Sequence, residues 1–178
     1  MGVGGSEYAL LTLCEGWSKA GHTVTLYNNG RNPDSPFEHR RASTFEKSDN
    51  RDVFITFREP TPKILEANGL KVFWSCDQFT AGDFGHFAKL CDKVVTISPY
   101  HSAYFSAVYQ IENSIPIDLP VRIWEYEQPI EKVRGRLIFT SVPDRGLHLA
   151  LRTFGRIKEG FPEATLVVTS DYRLWGSP

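Results

Sequence analysis

Four short stretches of this sequence carry side chains whose types and spacing can do chemistry. Gly4-Gly5-Ser6-Glu7 stands at a predicted helix start. Glycines there let the backbone approach a phosphate, and the helix N-terminus offers free N–H groups and the positive end of its dipole. A plain glycine turn entering a helix is the other reading of the same residues. Glu7 and Tyr8 stand where the G-x-G-x-x-G dinucleotide pattern needs other spacing, so that fingerprint is not present. Arg145-Gly146 follows a predicted strand further along the chain. A guanidinium at a glycine turn beside a helix N-terminus can grip a diphosphate bidentately, and a solvated loop arginine is the alternative. Arg58-Glu59-Pro60 and Cys76-Asp77 each follow the C-terminal end of a predicted strand. Open parallel sheets bind ligands at that edge. Arg58, Glu59, Cys76 and Asp77 are therefore candidates to line a cleft, with Asp77 equally suited to cap a turn or helix. Ser98, after another strand, is both a cleft-lining candidate and an N-cap. His86 and His101 fall on predicted helices, where packing is the default. No metal-ligand spacing, G-x-S-x-G elbow or P-loop occurs.

These residues need elements to hold them. Ser6 as N-cap and Leu10, Leu13, Cys14 and Trp17 at helical spacing predict a first helix, ended by Gly21. His22 to Tyr27 reads as a β-branched strand. The stretch from Asn28 to Asn50 is polar and Pro-bearing, so it reads as loop with at most short structure. Strands follow at Asp52–Phe57, Lys71–Trp74 and Lys93–Ile97, with helices at Ile64–Ala67, Phe84–Cys91 and Tyr100–Val108. Ser98-Pro99 supplies the cap and first turn of the last. Alternating strands and helices with near-continuous apolar strands predict a parallel sheet covered on both faces. A second strand–helix–strand run follows: Leu137–Thr140, an amphipathic helix, then Thr165–Thr169. Leu147, Ala150, Leu151, Phe154, Ile157 and Phe161 form the apolar face of that helix.

Composition narrows the class. The chain has 178 residues, 41% of them hydrophobic, and a net charge of −1. That balance argues against a broad basic nucleic-acid surface and against disorder. No apolar run approaches a membrane span, and MGVGGSEYALL lacks the basic region of a secretory signal. Cys14, Cys76 and Cys91 have no C-x-x-C pairing, so neither a disulfide framework nor a zinc ribbon is indicated. A reducing, cytoplasmic setting is expected, with peripheral membrane association the alternative. The rhythm of elements divides the chain into a Rossmann-like N-domain over 1–118, a linker over 119–135 and part of a second domain over 136–178. The first strand of the N-domain and the rest of the second domain are expected to be missing from this stretch of chain.

In their order and spacing these segments resemble the GT-B glycosyltransferases, glycosyltransferase family 4 in particular. Gly4-Gly5-Ser6-Glu7 leading to Gly21-His22-Thr23-Val24 is similar to that family's first turn, helix and second strand. Val95-Thr-Ile-Ser-Pro-Tyr-His101 is similar to a late N-domain strand, serine turn and helix. Leu137 to Leu147 resembles the opening of the second domain, and Phe161-Pro-Glu-Ala-Thr-Leu166 fits after it. The resemblance implies two Rossmann-like domains, with the acceptor on the first and most of a nucleotide-sugar donor on the second. It implies transfer with retention and no metal or other cofactor required for the chemistry. Gly4 and Gly5 would lie near the donor phosphates, and Arg145 with Gly146 would grip the diphosphate. The chain departs from the pattern in places. Many members place a histidine where this chain has Arg58, and others where it has Cys76. The family's Glu-x7-Glu pair is absent from its proper region and occurs only at Glu7/Glu15 and Glu38/Glu46, in the wrong domain.

The resulting expectation is a fragment of a retaining glycosyltransferase using a nucleotide sugar and a sugar, lipid-linked or protein acceptor. Arg58 and Asp77 are the catalytic candidates, and these residues alone are expected to be inactive. The alternative is a stand-alone α/β binding module that self-associates through an open sheet edge. A nicotinamide-dependent oxidoreductase is disfavoured, because Tyr27-Asn28-Asn29 stand where an acidic residue should close the second strand.

Overall fold

The computed structural model describes residues 4–30, 34–78 and 83–169. The chain divides into two compact units, one over Gly5–Val121 and one containing the described residues from Arg122 onward. The expected domain ends at 178 and the start at residue 1 fall outside the described residues.

The first unit opens with α1 (Gly5–Lys19). Ser6 therefore sits inside the first turn and is not the N-cap. The helix stops where Gly21 takes φ +92°, with His22 N–H donating to the Trp17 carbonyl at 3.0 Å. That left-handed residue and long-range closure satisfy the last carbonyls. The buried residues of α1 are Ala9, Thr12 and Cys14. Leu10, Leu13 and Trp17 are only half-buried, so Cys14 is the one residue of the expected stripe that is buried.

Strand β1 (Thr25–Asn28) pairs in parallel with β2 (Glu38–Arg41). The second strand lies inside the expected loop. It has no apolar alternation, and it forms because β1 offers it a ladder: Thr25 Oγ1 donates to Glu38 Oε2 at 3.0 Å across the pair. Four more strands make an all-parallel sheet in sequence order: β3 (Val53–Phe57), β4 (Leu70–Trp74), β5 (Lys93–Thr96) and β6 (Ser114–Pro116). A 3₁₀ turn at Pro62–Glu66 replaces the short helix expected near Ile64–Ala67. Helix α2 (Phe84–Leu90) connects β4 to β5, and α3 (Pro99–Tyr109) connects β5 to β6. β6 went unpredicted because it is three residues long and ends on Pro116. A proline is admissible there because β6 is an edge strand, with no ladder donor needed on its outer side.

The core lies on one face of this sheet. Register aligns Phe73 with Val94 across β4 and β5, and Phe54 shares their face. Against them pack Phe84, Phe87 and Ala88 of α2 and Phe105 of α3. The rings meet edge-on or tilted, with Phe73–Phe87 centroids at 5.7 Å and Phe84–Phe105 at 5.0 Å, which is how ring quadrupoles prefer to pack. On the other face Val72 and Trp74 are buried, while Val53, Ile55 and Leu70 are exposed. Covering on both faces thus holds for the C-terminal part of β4 and fails along β3.

The second unit holds β7 (Arg136–Phe139), a 3₁₀ turn at Pro143–Arg145, α4 (Leu147–Gly160) and β8 (Thr165–Val168), with β7 and β8 parallel. Ala164 is its one buried residue among those described. Leu147, Ala150, Phe154 and Ile157 of α4 are half-buried, but Leu151 is exposed and Phe161 lies exposed beyond the helix end. The expected apolar face is wider than two strands can cover.

Gly69 makes a very close backbone approach. It holds φ +119° just before β4, and a Cβ there would stand 2.2 Å from the Arg51 carbonyl oxygen. The two segments are already bound, Leu70 N–H donating to the Asp52 carbonyl at 2.8 Å. Gly69→Ala is expected to destabilise the first unit by well over ~1 kcal/mol, since both the left-handed backbone and the contact oppose a side chain. Urea unfolding of the two proteins measures it, and equal midpoints would refute the close approach.

Candidate functional site

The site is built at the C-terminal ends of β3, β4 and β5, where the backbone leaves the sheet. β3 ends in a tight turn. Arg58 N–H still donates to the Trp74 carbonyl at 2.9 Å, extending the ladder one residue. Glu59 N–H then folds back to the Phe57 carbonyl at 2.8 Å, closing a three-residue turn around Arg58. Arg58 itself takes φ +66°, the strained hand of that turn for a residue with a side chain.

The Arg58 side chain is engaged on three segments. Nε donates to Asp77 Oδ2 at 2.8 Å, and Nη1 donates to Ser6 Oγ at 3.1 Å and Glu7 Oε1 at 3.3 Å. The first turn of α1, the end of β3 and the segment after β4 are thereby tied to one guanidinium. The hydrogen bond to Asp77 comes first among the causes that hold the Arg58 pKa above its ordinary value. One cation faces two carboxylates, so the cluster carries an excess of negative charge.

Behind Asp77 the backbone is fixed by buried groups. The Ser75 hydroxyl donates to the Asp77 carbonyl at 3.0 Å, and Ser75 N–H donates to the Val95 carbonyl at 2.9 Å. His101 reaches back from the first turn of α3. Its Nδ1 accepts the Ile97 N–H at 3.3 Å, which leaves Nε2–H to donate to the Asp77 carbonyl at 2.8 Å. These two partners assign the neutral Nε2–H tautomer. The ring is buried against Phe105, centroids 4.2 Å apart. Burial is the main cause that lowers the His101 pKa from 6.5, against the opposing pull of Asp77. Ser98 caps α3, its hydroxyl oxygen accepting the His101 N–H at 3.1 Å.

Beside this frame lies an open cavity of about 140 Å³, lined by Cys76, Gln78, Ile97, Ser98, Tyr100 and His101. Burial, aided by the Asp77 charge, pushes the Cys76 thiol up to about 11. It is therefore a neutral lining group at physiological pH and not an activated nucleophile.

Arg58 and Asp77 thus stand in direct contact, and Cys76 and Ser98 line one cavity. Glu59 is exposed on the turn. Gly5 is the first residue of α1, with Gly4 just before it, and a Cβ at Gly5 would meet nothing within 4 Å. Arg145 and Gly146 belong to the second unit. Gly146 takes φ +105° at the start of α4, and Arg145 ends the 3₁₀ turn before it. Gln78 and Tyr100 were not singled out from the sequence; Ser6 and Glu7 were expected in a phosphate-binding turn and His101 in packing. The cap spacing Ser98–His101 was the one signal available, since it turns the third helical residue back toward the strand ends. No group of three or more His, Cys, Asp or Glu among the described residues could hold a metal ion. No described helix is long and apolar enough to cross a membrane. The chain matches no family model, and no curated protein matches it.

Two outcomes follow from this frame. Arg58→Gly relieves the left-handed strain while Arg58→Ala keeps it, and both lose the guanidinium. The glycine variant is therefore expected to be the more stable by ~1 kcal/mol in urea unfolding. An alanine variant at least as stable would remove the case for strain. His101 is held neutral in the fold, so the unfolded chain binds its proton more readily. Stability it contributes is present above 6.5 and is lost as pH falls below that value. The difference in urea midpoint between the wild type and His101→Asn should narrow as pH drops through this window. A pH-independent difference would contradict the assignment.

Proposed function

We propose that the chain is part of a retaining, nucleotide-sugar-dependent glycosyltransferase of the GT-B type, similar to glycosyltransferase family 4. The single observation that carries this reading is the Arg58 cluster: a helix N-terminus and two strand ends held together at the C-terminal edge of a parallel sheet, the edge where such sheets bind ligands. In this reading the first unit takes the acceptor. Asp77 orients the acceptor hydroxyl, and Arg58 positions Asp77. The second unit grips the donor through Arg145 and the turn at Gly146, and Gly4 and Gly5 are the phosphate-binding candidates at the start of α1. The bond from the sugar's anomeric carbon to the diphosphate breaks, its electron pair stays on the diphosphate, and the acceptor oxygen takes its place, its proton passing to the departing diphosphate oxygen. Charge grows on the leaving group, so a preorganised cation there lowers the barrier. No metal or other cofactor is part of this reading, and the cytoplasm is its setting.

A second reading keeps the fold without the chemistry. β3 is an edge strand whose Val53 and Ile55 are exposed, and such an edge favours pairing with another copy. One experiment separates the two. The DNA flanking this coding segment is read, and the whole open reading frame is expressed and assayed with labelled nucleotide sugars. The expected result is further strand–helix units with a Glu-x7-Glu pair downstream and measurable transfer. Arg145→Ala should lower kcat/KM by about 10²-fold or more. A frame that adds nothing, with no transfer and a mass that rises with concentration, would overturn the enzyme in favour of the interaction module.

A further inference from the structure

The cavity beside Asp77 has a chemistry that the transfer reaction alone does not specify. None of its lining side chains carries a charge at neutral pH. Cys76 is held as the thiol, and His101 has both ring nitrogens satisfied within the fold. The guanidinium that holds Asp77, that of Arg58, is already bonded to two carboxylates. A phosphate or carboxylate ligand would meet no open cation here, and would face the negative excess of Glu7 and Asp77.

What the cavity does offer is neutral and two-sided. Gln78 brings an amide that both donates and accepts. Ser98 accepts the His101 N–H and keeps its own O–H for donation. Tyr100 is 68% exposed, a ring far too open for a core residue, with a hydroxyl at its tip. The volume holds roughly ten water-sized spheres, which suits one small ring and not an extended dinucleotide. Hydroxyls that donate and accept, together with apolar C–H faces, are what such a lining recognises.

We infer that this cavity binds a single neutral, polyhydroxylated ring, a sugar unit stacked on Tyr100 and hydrogen-bonded by Gln78 and Ser98. Resting on the transfer reading, that ring is the acceptor: an uncharged glycosyl unit in preference to a sugar phosphate or a lipid phosphate. Tyr100 then sets acceptor specificity without touching the leaving group.

The test uses the protein and ligand-observed saturation-transfer NMR. The probes are methyl α-D-glucoside, methyl α-D-galactoside and methyl α-D-mannoside, with inorganic phosphate and adenosine as competitors. Transfer to the ring protons of at least one glycoside is expected, undiminished by excess phosphate or adenosine. Tyr100→Ala should weaken binding about tenfold, the size of one lost aromatic stack. Tyr100→Phe should stay within about threefold, because the ring face remains. The exposure of Tyr100 means the alanine variant keeps its fold, which circular dichroism checks. No glycoside binding, displacement by phosphate or adenosine, or an unchanged Tyr100→Ala variant would each overturn the inference. Its failure is separable from that of the transfer reading. If the whole reading frame transfers sugar with a KM for acceptor that Tyr100→Ala leaves unchanged, transfer stands and this cavity falls. Glycoside binding without any transfer does the reverse.

Discussion

The guanidinium of Arg58, at the end of β3, donates to groups on two other segments far from it in sequence, and it ties the strand ends together. Ser6 and Glu7 are brought to it by α1, and Asp77 by the segment after β4. A lysine could not do this. Its single ammonium lacks the planar fork that addresses a carboxylate through Nε while Nη1 turns to a second partner. The position demands a left-handed backbone, where glycine would be easier, and the chain keeps an arginine. The strain is of order 1–2 kcal/mol. It is sustained because the charged hydrogen bonds over-determine the turn.

That engagement also decides what the arginine can do. A guanidinium with a carboxylate on Nε and another on Nη1 already has its charge more than matched, so a further anion gains little from it. Its effect on chemistry is indirect: it keeps Asp77 fixed and aimed. His101 works on the same residue from the opposite side. It binds the Asp77 carbonyl through Nε2 while Nδ1 holds the Ile97 amide. The Asp77 carboxylate is thus set by Arg58, and its carbonyl by His101 and Ser75.

Much of the frame was legible in the sequence, and the exceptions have physical reasons. Val53–Phe57, Lys71–Trp74 and Lys93–Thr96 declare themselves because β-branched and aromatic runs have few other uses. Ser98-Pro99 announces α3 because cap and first turn are local signals. Glu38–Arg41 announces nothing, since its strand exists only through pairing with Thr25–Asn28. The left-handed turn at Arg58 was invisible for a similar reason: a sequence marks such positions with glycine, and here the side chain outweighed the backbone preference. The meeting of Arg58 with Asp77 could be anticipated from their places at neighbouring strand ends. The inclusion of Glu7 could not, because the contact spans 51 residues of sequence and depends on how α1 packs against the strand ends.

The two arginine turns of the chain resolve the same conflict in opposite ways. After β7 the left-handed position is given to Gly146, and the guanidinium is moved one residue back, to Arg145. The Arg145 side chain is exposed, and among the described residues it makes no hydrogen bond or ion pair. After β3 the arginine occupies the left-handed position itself and is engaged by two carboxylates. A cation left open beside a helix N-terminus suits an anion that comes and goes. A cation whose charge is already matched by protein carboxylates suits a fixed frame beside a neutral ligand. The proposed division of labour, donor phosphates at Arg145 and an uncharged acceptor beside Asp77, rests on that difference in partners.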